Sequence, residues 1–457
     1  MGPYPRRDCQ RTIKLRAVPE QYPVRPSALA EGIFRREILP WGLLGLALGL
    51  VEGATAAVLV KQHFGGVAPV FAVNLAVALV SGAPAFSNVL SFVWANIAHG
   101  RARVQLMVAL QAAFALLVGS VSFASRAAGG LLLTVLSVIA ARVVWAGILT
   151  VRAAVWTTNY PRNVLARITG RLVIVNSIAV ACSAALVGWA LEAQALDASW
   201  LYGGGALAGL LGAWLYRAMR VRRQFRLLAE ETASGARSEP FSLRMLTQIL
   251  KEDPDYREYM LWMGIYGGGN LMLTAQLVLL FSERLHLPSG TQIALLAVVP
   301  LITQPLFLPF WARLFDGAHV VRFRSRQGWA LVLATAAMCA GVFSAWLPLL
   351  WLGAVLLGAA TAGANLGWNL GHTDFASVGR AQHYMGVHVT LTGVRGGVAP
   401  PLGVLAYMGL EASHPGIGEL ALLLPFAMTL AGALGFNRMR RRADAQQSAA
   451  HVARATE

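Results

Sequence analysis

Residues 217–257 read RAMRVRRQFRLLAEETASGARSEPFSLRMLTQILKEDPDYR, and this basic stretch divides the chain into two long apolar halves. Its charges make it too polar to enter a bilayer. Loops rich in Lys and Arg stay on the cytoplasmic side of membrane proteins, so the stretch predicts a cytoplasmic connector if the halves span a membrane. Its nine basic residues are Arg217, Arg220, Arg222, Arg223, Arg226, Arg237, Arg244, Lys251 and Arg257.

The second part of the connector has the pattern of a short amphipathic helix. Arg244, Gln248 and Lys251 fall on one helical face, and four apolar residues fall on the other. A helix of this kind can lie on a membrane surface, although a plain solvated linker helix has the same spacing. The apolar face consists of Leu243, Leu246, Ile249 and Leu250.

The composition of the 457-residue chain is that of an integral membrane protein. Hydrophobic residues make up 56% of it and charged residues only 13%, whereas about a quarter of the residues in a soluble domain are charged. The mean hydropathy is +0.57. The net charge of +17 does not indicate a nucleic-acid partner, because the basic residues fall in short runs between apolar segments and form no single patch. The predicted partner is the lipid bilayer.

The sequence predicts no cofactor, metal site or enzyme motif. Cys9, Cys182 and Cys339 lie far apart and have the spacing of neither a disulfide framework nor a metal site. An intramembrane enzyme built on His372 and Asp374 is disfavoured, because side chains at i and i+2 face apart on a helix. No nucleophile motif accompanies them. We therefore expect a protein that is not an enzyme.

Twelve segments come close to the about 20 apolar residues that a helix needs to cross the hydrocarbon. The predicted fold is therefore an all-α integral membrane protein with twelve transmembrane helices in two bundles of six. The segments are 40–60, 70–98, 104–124, 129–151, 168–191 and 200–216, then 259–281, 293–314, 329–347, 350–370, 387–408 and 420–436. The predicted domains are a tail at 1–38, a bundle at 39–216, the linker at 217–257, a bundle at 258–437 and a tail at 438–457.

The distribution of Lys and Arg agrees with this count. Twelve crossings with both termini in the cytoplasm require the basic residues to concentrate on the inner side. Only Lys61, Arg126 and Arg284 fall on the outer side, three lie within helices, and the remaining 32 of the 38 fall on the inner side. An error of one helix would scramble this asymmetry.

The two halves repeat a short pattern. Trp94 is followed by Ala95 and, after four further residues, by Gly100 in a turn, and the same pattern begins at Trp311, 217 residues later. Gly170 opens predicted helix 5 just as Gly386 opens predicted helix 11. Coincidences in two corresponding places favour a pair of parallel repeats, as in many transporters.

This layout resembles the major facilitator superfamily over residues 40–436. The resemblance rests on the six-plus-six arrangement, the long basic central loop, the Trp-Ala turns, and Pro161 and Arg167 ahead of Gly170. It implies that helices 1, 4, 7 and 10 line a central cavity, with helices 2, 5, 8 and 11 beside them. It also implies that the helix 4 arginine of the family corresponds to Arg142, which is followed here by Gly147.

The loop and helix motifs of the family are only partly present. The first-half loop at 96–103 lacks the usual Asp, whereas the second-half copy keeps one, so Asp316 resembles the family's conformational latch residue. By residue count, Arg152 and Asp374 lie near the cytoplasmic ends of helices 4 and 10 and are expected to be further gating charges. The proline-glycine motif of drug antiporters is missing from residues 179–188, which counts against that activity.

Three ionisable residues fall inside predicted helices at mid-membrane depth. An ionised group there costs about 3 kcal/mol on insertion scales, so such groups normally face a cavity or a partner. Glu52 on helix 1 is the best proton-titratable group, and Arg142 on helix 4 is its candidate partner for proton coupling. Arg395 on helix 11 is the candidate ligand for an anionic part of a substrate.

Polar residues at helical spacing extend this site, since residues at i, i+4 and i+7 share a face. The alternative is that they only form hydrogen bonds between packed helices. Helix 2 also carries Asn74, Ser81 and Asn88 at intervals of seven. The substrate-binding candidates are His388, Thr392 and Arg395 on helix 11, Asn365, Asn369 and His372 on helix 10, and Tyr266 and Asn270 on helix 7.

Together these features predict a secondary active transporter, coupled to protons, which works by alternating access. Two arginines against one glutamate favour a small anionic or zwitterionic organic substrate.

Pro400 and Pro401 are expected to break helix 11 locally. We expect a monomer in the inner (plasma) membrane. The alternatives are a multidrug-type efflux pump, favoured by Trp- and Met-rich helices, and a membrane assembly or regulatory protein that keeps the fold without transporting.

Overall fold

The computed structural model describes residues 28–193, 197–234, 243–376 and 380–455. Within these ranges the chain is helical and contains no β-strand, which confirms the all-α prediction. Residues 1–27 of the predicted tail at 1–38, and the connector residue Arg237, lie outside them. The helices are α1 (Ala28–Leu50), α2 (Gly53–Phe64), α3 (Val70–Phe86), α4 (Ser91–Ala98), α5 (Arg103–Ser120), α6 (Ala128–Asn159), α7 (Arg162–Glu192), α8 (Ala198–Tyr216), α9 (Gln224–Ser234), α10 (Leu243–Glu252), α11 (Pro254–Glu283), α12 (Ser289–Ile293), α13 (Val299–Asp316), α14 (Val320–Ser344), α15 (Leu347–Leu370), α16 (Ala381–Ser413) and α17 (Leu423–Ala455).

The long helices are built to cross a membrane. Among the described residues, nine helical segments are long and apolar enough to do so, and α1 with α2 adds a tenth if the two form one bent span. Helices α8 and α16 occupy the sixth and eleventh predicted crossings but are not among these ten. Large apolar side chains such as Leu207 and Leu306 are about 70% exposed (69% and 73%), as expected for side chains that face lipid. The chain is therefore a multi-pass membrane protein.

The first crossing is interrupted at the position of Glu52. Helices α1 and α2 meet at an angle of 42°, and Glu52 between them has an extended backbone with φ −68° and ψ 136°. The Tyr202 hydroxyl donates to the Leu50 carbonyl at 3.2 Å, which satisfies one of the carbonyls at the end of α1. The break leaves the carboxylate of Glu52 free to leave the helix axis.

Several predicted helix boundaries and one predicted break differ from the structure. Helix α1 begins at Ala28, twelve residues before Pro40, and α14 begins at Val320 rather than near Trp329. Helix α17 continues through the predicted tail to Ala455. The prediction that Pro400 and Pro401 break the helix is wrong, because α16 runs unbroken through both.

Gly45 and Gly49, which are spaced by four residues, let α1 approach α7 closely. A Cβ atom added at Gly45 would lie 2.9 Å from the Asn176 carbonyl oxygen, and one at Gly49 would lie 2.7 Å from the Val180 carbonyl oxygen. Both contacts join α1 to α7. No larger side chain fits at these crossings.

The two halves, residues 28–216 and 254–455, meet along α3 with α16 and along α7 with α12. We call the side that holds the connector the connector side, and the opposite side the far side. On the far side, Gly188 and Gly290 pack against each other at the α7–α12 crossing. Along α3 and α16 the contacts run from Gly82 against Gly396 to Val89 against Gly393, near the middle of both crossings.

The repeat of the two halves is visible in their side-chain contacts. The Trp94 indole donates to the Val143 carbonyl at 2.9 Å and lies against Gly147. The Trp311 indole donates to the Ala359 carbonyl at 2.8 Å and lies against Gly363 in the same way. In both halves the tryptophan comes first, and the glycine lies four residues after the carbonyl.

The two connector helices are attached to different halves. The Glu231 carboxylate on α9 accepts a hydrogen bond from the Gly100 amide at 3.0 Å and forms an ion pair with Arg103. On α10, Ile249 is buried, and Leu246 and Leu250 are partly buried in the apolar cluster of the second half. Part of the apolar face of α10 therefore packs on the second half.

We expect alanine at Gly49 to lower the melting temperature of the detergent-purified protein. Its Cβ would clash with the backbone of α7, and overpacking of this kind costs about 1–3 kcal/mol. Gly204→Ala on α8 is the matched control, because a Cβ there meets nothing within 4 Å and alanine favours the helix. A Gly49→Ala protein as stable as the control would contradict the packing described here.

Candidate functional site

A cavity of about 360 Å³ lies between the two halves. Helices α3 and α6 of the first half and α11, α14, α15 and α16 of the second contribute its walls. A largely apolar pocket with a few polar side chains is the usual form of a small-molecule binding site. Six of the predicted site residues line it: Arg142, Tyr266, Asn270, Asn365, Thr392 and Arg395.

Glu52 and Arg142 form an ion pair at the edge of this cavity. Nη1 of Arg142 donates to Oε2 of Glu52 at 3.0 Å. The Glu52 side chain is 30% exposed and that of Arg142 is 9% exposed. Glu52 reaches Arg142 from the break between α1 and α2. Among the described residues, it is the only carboxylate that forms an ion pair with an arginine of the cavity.

Arg395 lies on the opposite wall, where its guanidinium has only neutral partners. Nη2 donates to the Thr392 hydroxyl at 2.9 Å, and Nη1 donates to the Met263 carbonyl. The guanidinium lies against Gly267, where an added Cβ would be 2.6 Å from Nη1. Glycine at this position leaves room for the charged group beside the backbone of α11.

Other polar groups of the wall bond to one another. The Tyr266 hydroxyl accepts from the Gln327 side chain at 3.2 Å, and the Asn365 amide donates to Gln304 at 3.2 Å. The Trp368 indole donates to the Thr392 hydroxyl at 3.2 Å. These bonds orient the wall and leave hydrogen-bonding capacity for a ligand.

Three predicted substrate ligands do not line the cavity. His388 is buried, and its ring centroid lies 5.6 Å from that of Trp368. Neither of its ring nitrogens has a hydrogen-bond partner among the described residues. Asn369 donates to the Asn365 carbonyl at 2.7 Å on its own helix. His372 is buried just beyond the end of α15. The geometry places these three behind or beyond the wall.

The three predicted gating residues each contact only their own half within the described chain. Asp316 is exposed at the end of α13. The Arg152 guanidinium stacks over Trp41 and Trp156, at 4.7 and 4.2 Å from the ring centroids. Asp374 accepts the Val320 amide at 2.6 Å and caps α14. None of them joins the two halves.

Sequence reasoning missed a third cavity arginine, Arg324. It is 1% exposed, lines the cavity, and donates to the Gln327 side chain at 2.8 Å and to the Ala364 carbonyl at 3.2 Å. It was assigned to a loop because α14 was expected to begin near Trp329. The sequence signal for this position is a second polar residue, Gln327, which lies one turn further along the same face of the helix.

A buried carboxylate near the connector side was also missed. Glu37 is fully buried and accepts hydrogen bonds from the Trp156 indole and the Tyr160 hydroxyl, both at 2.6 Å. Arg152 lies close enough for its charge to interact with that of Glu37. This cluster joins α1 to α6 within the first half.

No protein-family model matches the sequence, and neither does any curated protein. Solved structures match along almost the whole chain. The nucleoside transporter NupG has a TM-score of 0.66 at 11% identity, covering 90% of this chain and 99% of its own. The fold is that of the major facilitator superfamily.

Other transporters of this superfamily fold match similarly. The inward-open xylose transporter XylE from E. coli has a TM-score of 0.64 at 11% identity, covering 90% of this chain and 96% of its own. The human organic anion transporter MFSD10 has a TM-score of 0.54 at 15% identity, covering 89% and 98%. The structural neighbours named here are transporters and not enzymes. The described residues contain no group of three or more His, Cys, Asp or Glu that could hold a metal ion.

On the far side of the cavity, a charged network joins the two halves. We call it the Lys61 network; it consists of Lys61, Asn74, Glu283 and Tyr407. The Lys61 ammonium donates to Asn74 at 2.8 Å and forms an ion pair with Glu283, which also accepts from the Tyr407 hydroxyl. Helices α2 and α3 are thereby tied to α11 and α16.

We expect Glu283→Gln to increase access to the cavity from the far side. Losing a partly exposed ion pair costs about 1 kcal/mol, or about fivefold in the population of molecules open on that side. The measurement is the rate at which a maleimide reagent added on that side labels a cysteine at Thr361, with the three native cysteines replaced.

The control exchanges the two charges, as Lys61→Glu with Glu283→Lys, which should return the labelling rate toward that of the starting protein. An unchanged rate in the Glu283→Gln protein would mean that the network does not hold the far side closed.

Proposed function

We propose that this protein is a secondary active transporter that moves a small anionic or zwitterionic organic solute by alternating access. The observation that carries the proposal is the cavity between the halves, with the Glu52–Arg142 pair on one side and Arg395 on the other. In alternating access the halves rock about such a central site. The Lys61 network and the α7–α12 crossing would close the far side in the present state.

We further propose twelve crossings in two six-helix bundles, at 39–216 and 258–437, joined by the cytoplasmic linker 217–257. Both tails, 1–38 and 438–457, would then lie in the cytoplasm. The concentration of 32 of the 38 basic residues on that side supports this orientation. The protein would act as a monomer in the inner (plasma) membrane.

Coupling to protons is proposed for Glu52 and Arg142. A proton and the Arg142 guanidinium compete for the same carboxylate, because protonation removes the charge that the ion pair needs. Movement of α6 relative to the break between α1 and α2 would separate the pair and let Glu52 bind a proton. Exposure of 30% of the Glu52 side chain gives the proton a path.

The substrate site is proposed on the second half. Arg395 and Thr392 would hold the anionic group, and Tyr266, Asn270 and Asn365 would bind polar groups from the remaining wall. His388, His372 and Asn369 would support this wall from behind. Asp316, Arg152 and Asp374 remain candidates for gating in a state in which the connector side is closed.

A second candidate is efflux of apolar compounds. Trp145 and Trp368 line the cavity and could stack on an apolar ligand. Three arginines around the cavity weigh against it, since a neutral ligand would leave the charges of Arg324 and Arg395 without a partner. A third candidate, an assembly or regulatory protein with this fold, would show no flux at all.

We expect Glu52→Gln to abolish the pH dependence of transport. The measurement uses purified protein in liposomes loaded with a pH-sensitive dye, with a panel of small carboxylates and phosphate esters added outside. Solute uptake in the starting protein should rise with the inward proton gradient, and in the variant it should be independent of it.

Glu31→Gln is the matched control, because Glu31 forms only an exposed i,i+4 pair with Arg35, and such pairs contribute little. A Glu52→Gln protein with unchanged pH dependence would exclude this residue from coupling. Absence of flux for every solute, with one partner co-purifying stably, would instead favour the non-transporting role.

A further inference from the structure

Two of the three cavity arginines have no counter-ion among the described residues. Arg142 is paired with Glu52 at 3.0 Å, but neither Arg324 nor Arg395 makes a salt bridge in the described chain. Arg324 is 1% exposed and Arg395 is partly buried. The Nε atom of each is shielded from solvent and has no hydrogen-bond partner.

The groups around these two guanidiniums are neutral. Arg324 donates to the Gln327 side chain and to a backbone carbonyl, and Arg395 donates to the Thr392 hydroxyl and to a backbone carbonyl. The two charges lie close enough to repel each other. None of the described residues that line the cavity is acidic. Uncompensated buried charges are costly, so a bound anion would stabilise both arginines.

Both guanidiniums are seated in the same way. A Cβ added at Gly367 would lie 2.7 Å from Cζ of Arg324, and one at Gly267 would lie 2.7 Å from Cζ of Arg395. A glycine thus leaves space for each charged group against the backbone of a neighbouring helix. Because a glycine makes room for each of the two guanidiniums at one cavity, we infer a site that uses both charges. A single arginine would suffice for a singly charged ligand.

We propose that the cargo is a small organic dianion, with one negative charge for each of Arg324 and Arg395. This inference rests on the proposed function, because it takes the cavity as the substrate site. A volume of about 360 Å³ suits a compact molecule, and Leu271 and Trp145 can contact its carbon skeleton. Dicarboxylates and phosphate monoesters share this chemistry, since guanidiniums bind both kinds of group through paired hydrogen bonds.

The test compares ligands of similar size and different charge on detergent-purified full-length protein. Succinate is paired with succinamate, and propyl phosphate with methyl propyl phosphate, at about pH 7.5, where monoesters are mostly doubly ionised. Affinity is measured by calorimetry and thermal stabilisation. At least one dianion should bind about tenfold more tightly than its singly charged partner, and the stronger pair identifies the chemical class.

Arg324→Gln should reduce the dianion's affinity to that of the monoanion. It should leave the melting temperature without ligand unchanged or higher, because it removes an unpaired buried charge; a merely structural arginine would lower it. Arg326→Gln, two residues away on the exposed face of α14, is the matched control and should change neither quantity. If Arg324→Gln does not fold, Arg324→Lys keeps the charge and should keep the preference for dianions.

Equal affinity for both members of each pair in the starting protein would overturn the proposal, as would an unchanged preference in Arg324→Gln. The outcome is separable from that of the transport proposal. Dianion binding without flux in liposomes would support the site and exclude transport, whereas flux of neutral or singly charged solutes alone would support transport and exclude a dianion as cargo.

Discussion

A charged group inside a bilayer must have a partner, and this constraint organises the interior of the protein. Glu52 meets Arg142 across the broken first crossing, Glu37 is held by Trp156 and Tyr160 with Arg152 nearby, and Lys61 meets Glu283 between the halves. Each carboxylate joins helices that are distant in the sequence. The same interactions that remove the cost of burial therefore fix which helices are neighbours.

Close packing at small residues provides the rest of the framework. Gly45 and Gly49 bring α1 onto α7, and Gly82 and Gly396 bring α3 onto α16. In lipid, helices gain little from the hydrophobic effect when they associate, so contact between backbones matters more than in water. Helix contacts at small residues occur both within a half and between the halves. Among the described residues, the glycine contacts between the halves lie on the far side, at Gly188 and Gly290, and near the middle of the crossings, at Gly82 and Gly396.

The membrane class and the overall fold were predictable because hydrocarbon imposes a length and a composition on every crossing. Glu52 and Arg142 were predictable for the same reason. Glu37 was missed because α1 was expected to start at Pro40, although Ala30, Phe34 and Trp41 already mark a buried stripe with Glu37 on it. Without knowledge of where α14 begins, only Gln327, one turn further on, distinguishes Arg324 from its exposed neighbours Arg322 and Arg326.

Other features depend on tertiary packing and leave no local signal. The partnership of Lys61 with Glu283 requires the two halves to be brought together. The unbroken course of α16 through Pro400 and Pro401 also depends on its surroundings: the Gly396 carbonyl, four residues before Pro400, lies against Gly82 of α3. Neighbouring helices can support a backbone whose own hydrogen bonds are missing.

The continuity of α16 has a mechanical consequence. One continuous helix carries Arg395 at the cavity, Gly396 at the contact with α3, and Tyr407 in the Lys61 network. The twelve residues from Arg395 to Tyr407 span about 18 Å. Because α16 is unbroken over this length, a displacement at Arg395 would also move the Tyr407 hydroxyl that holds Glu283. In the proposed transport cycle, binding at the centre and closure of the far side would then be mechanically linked.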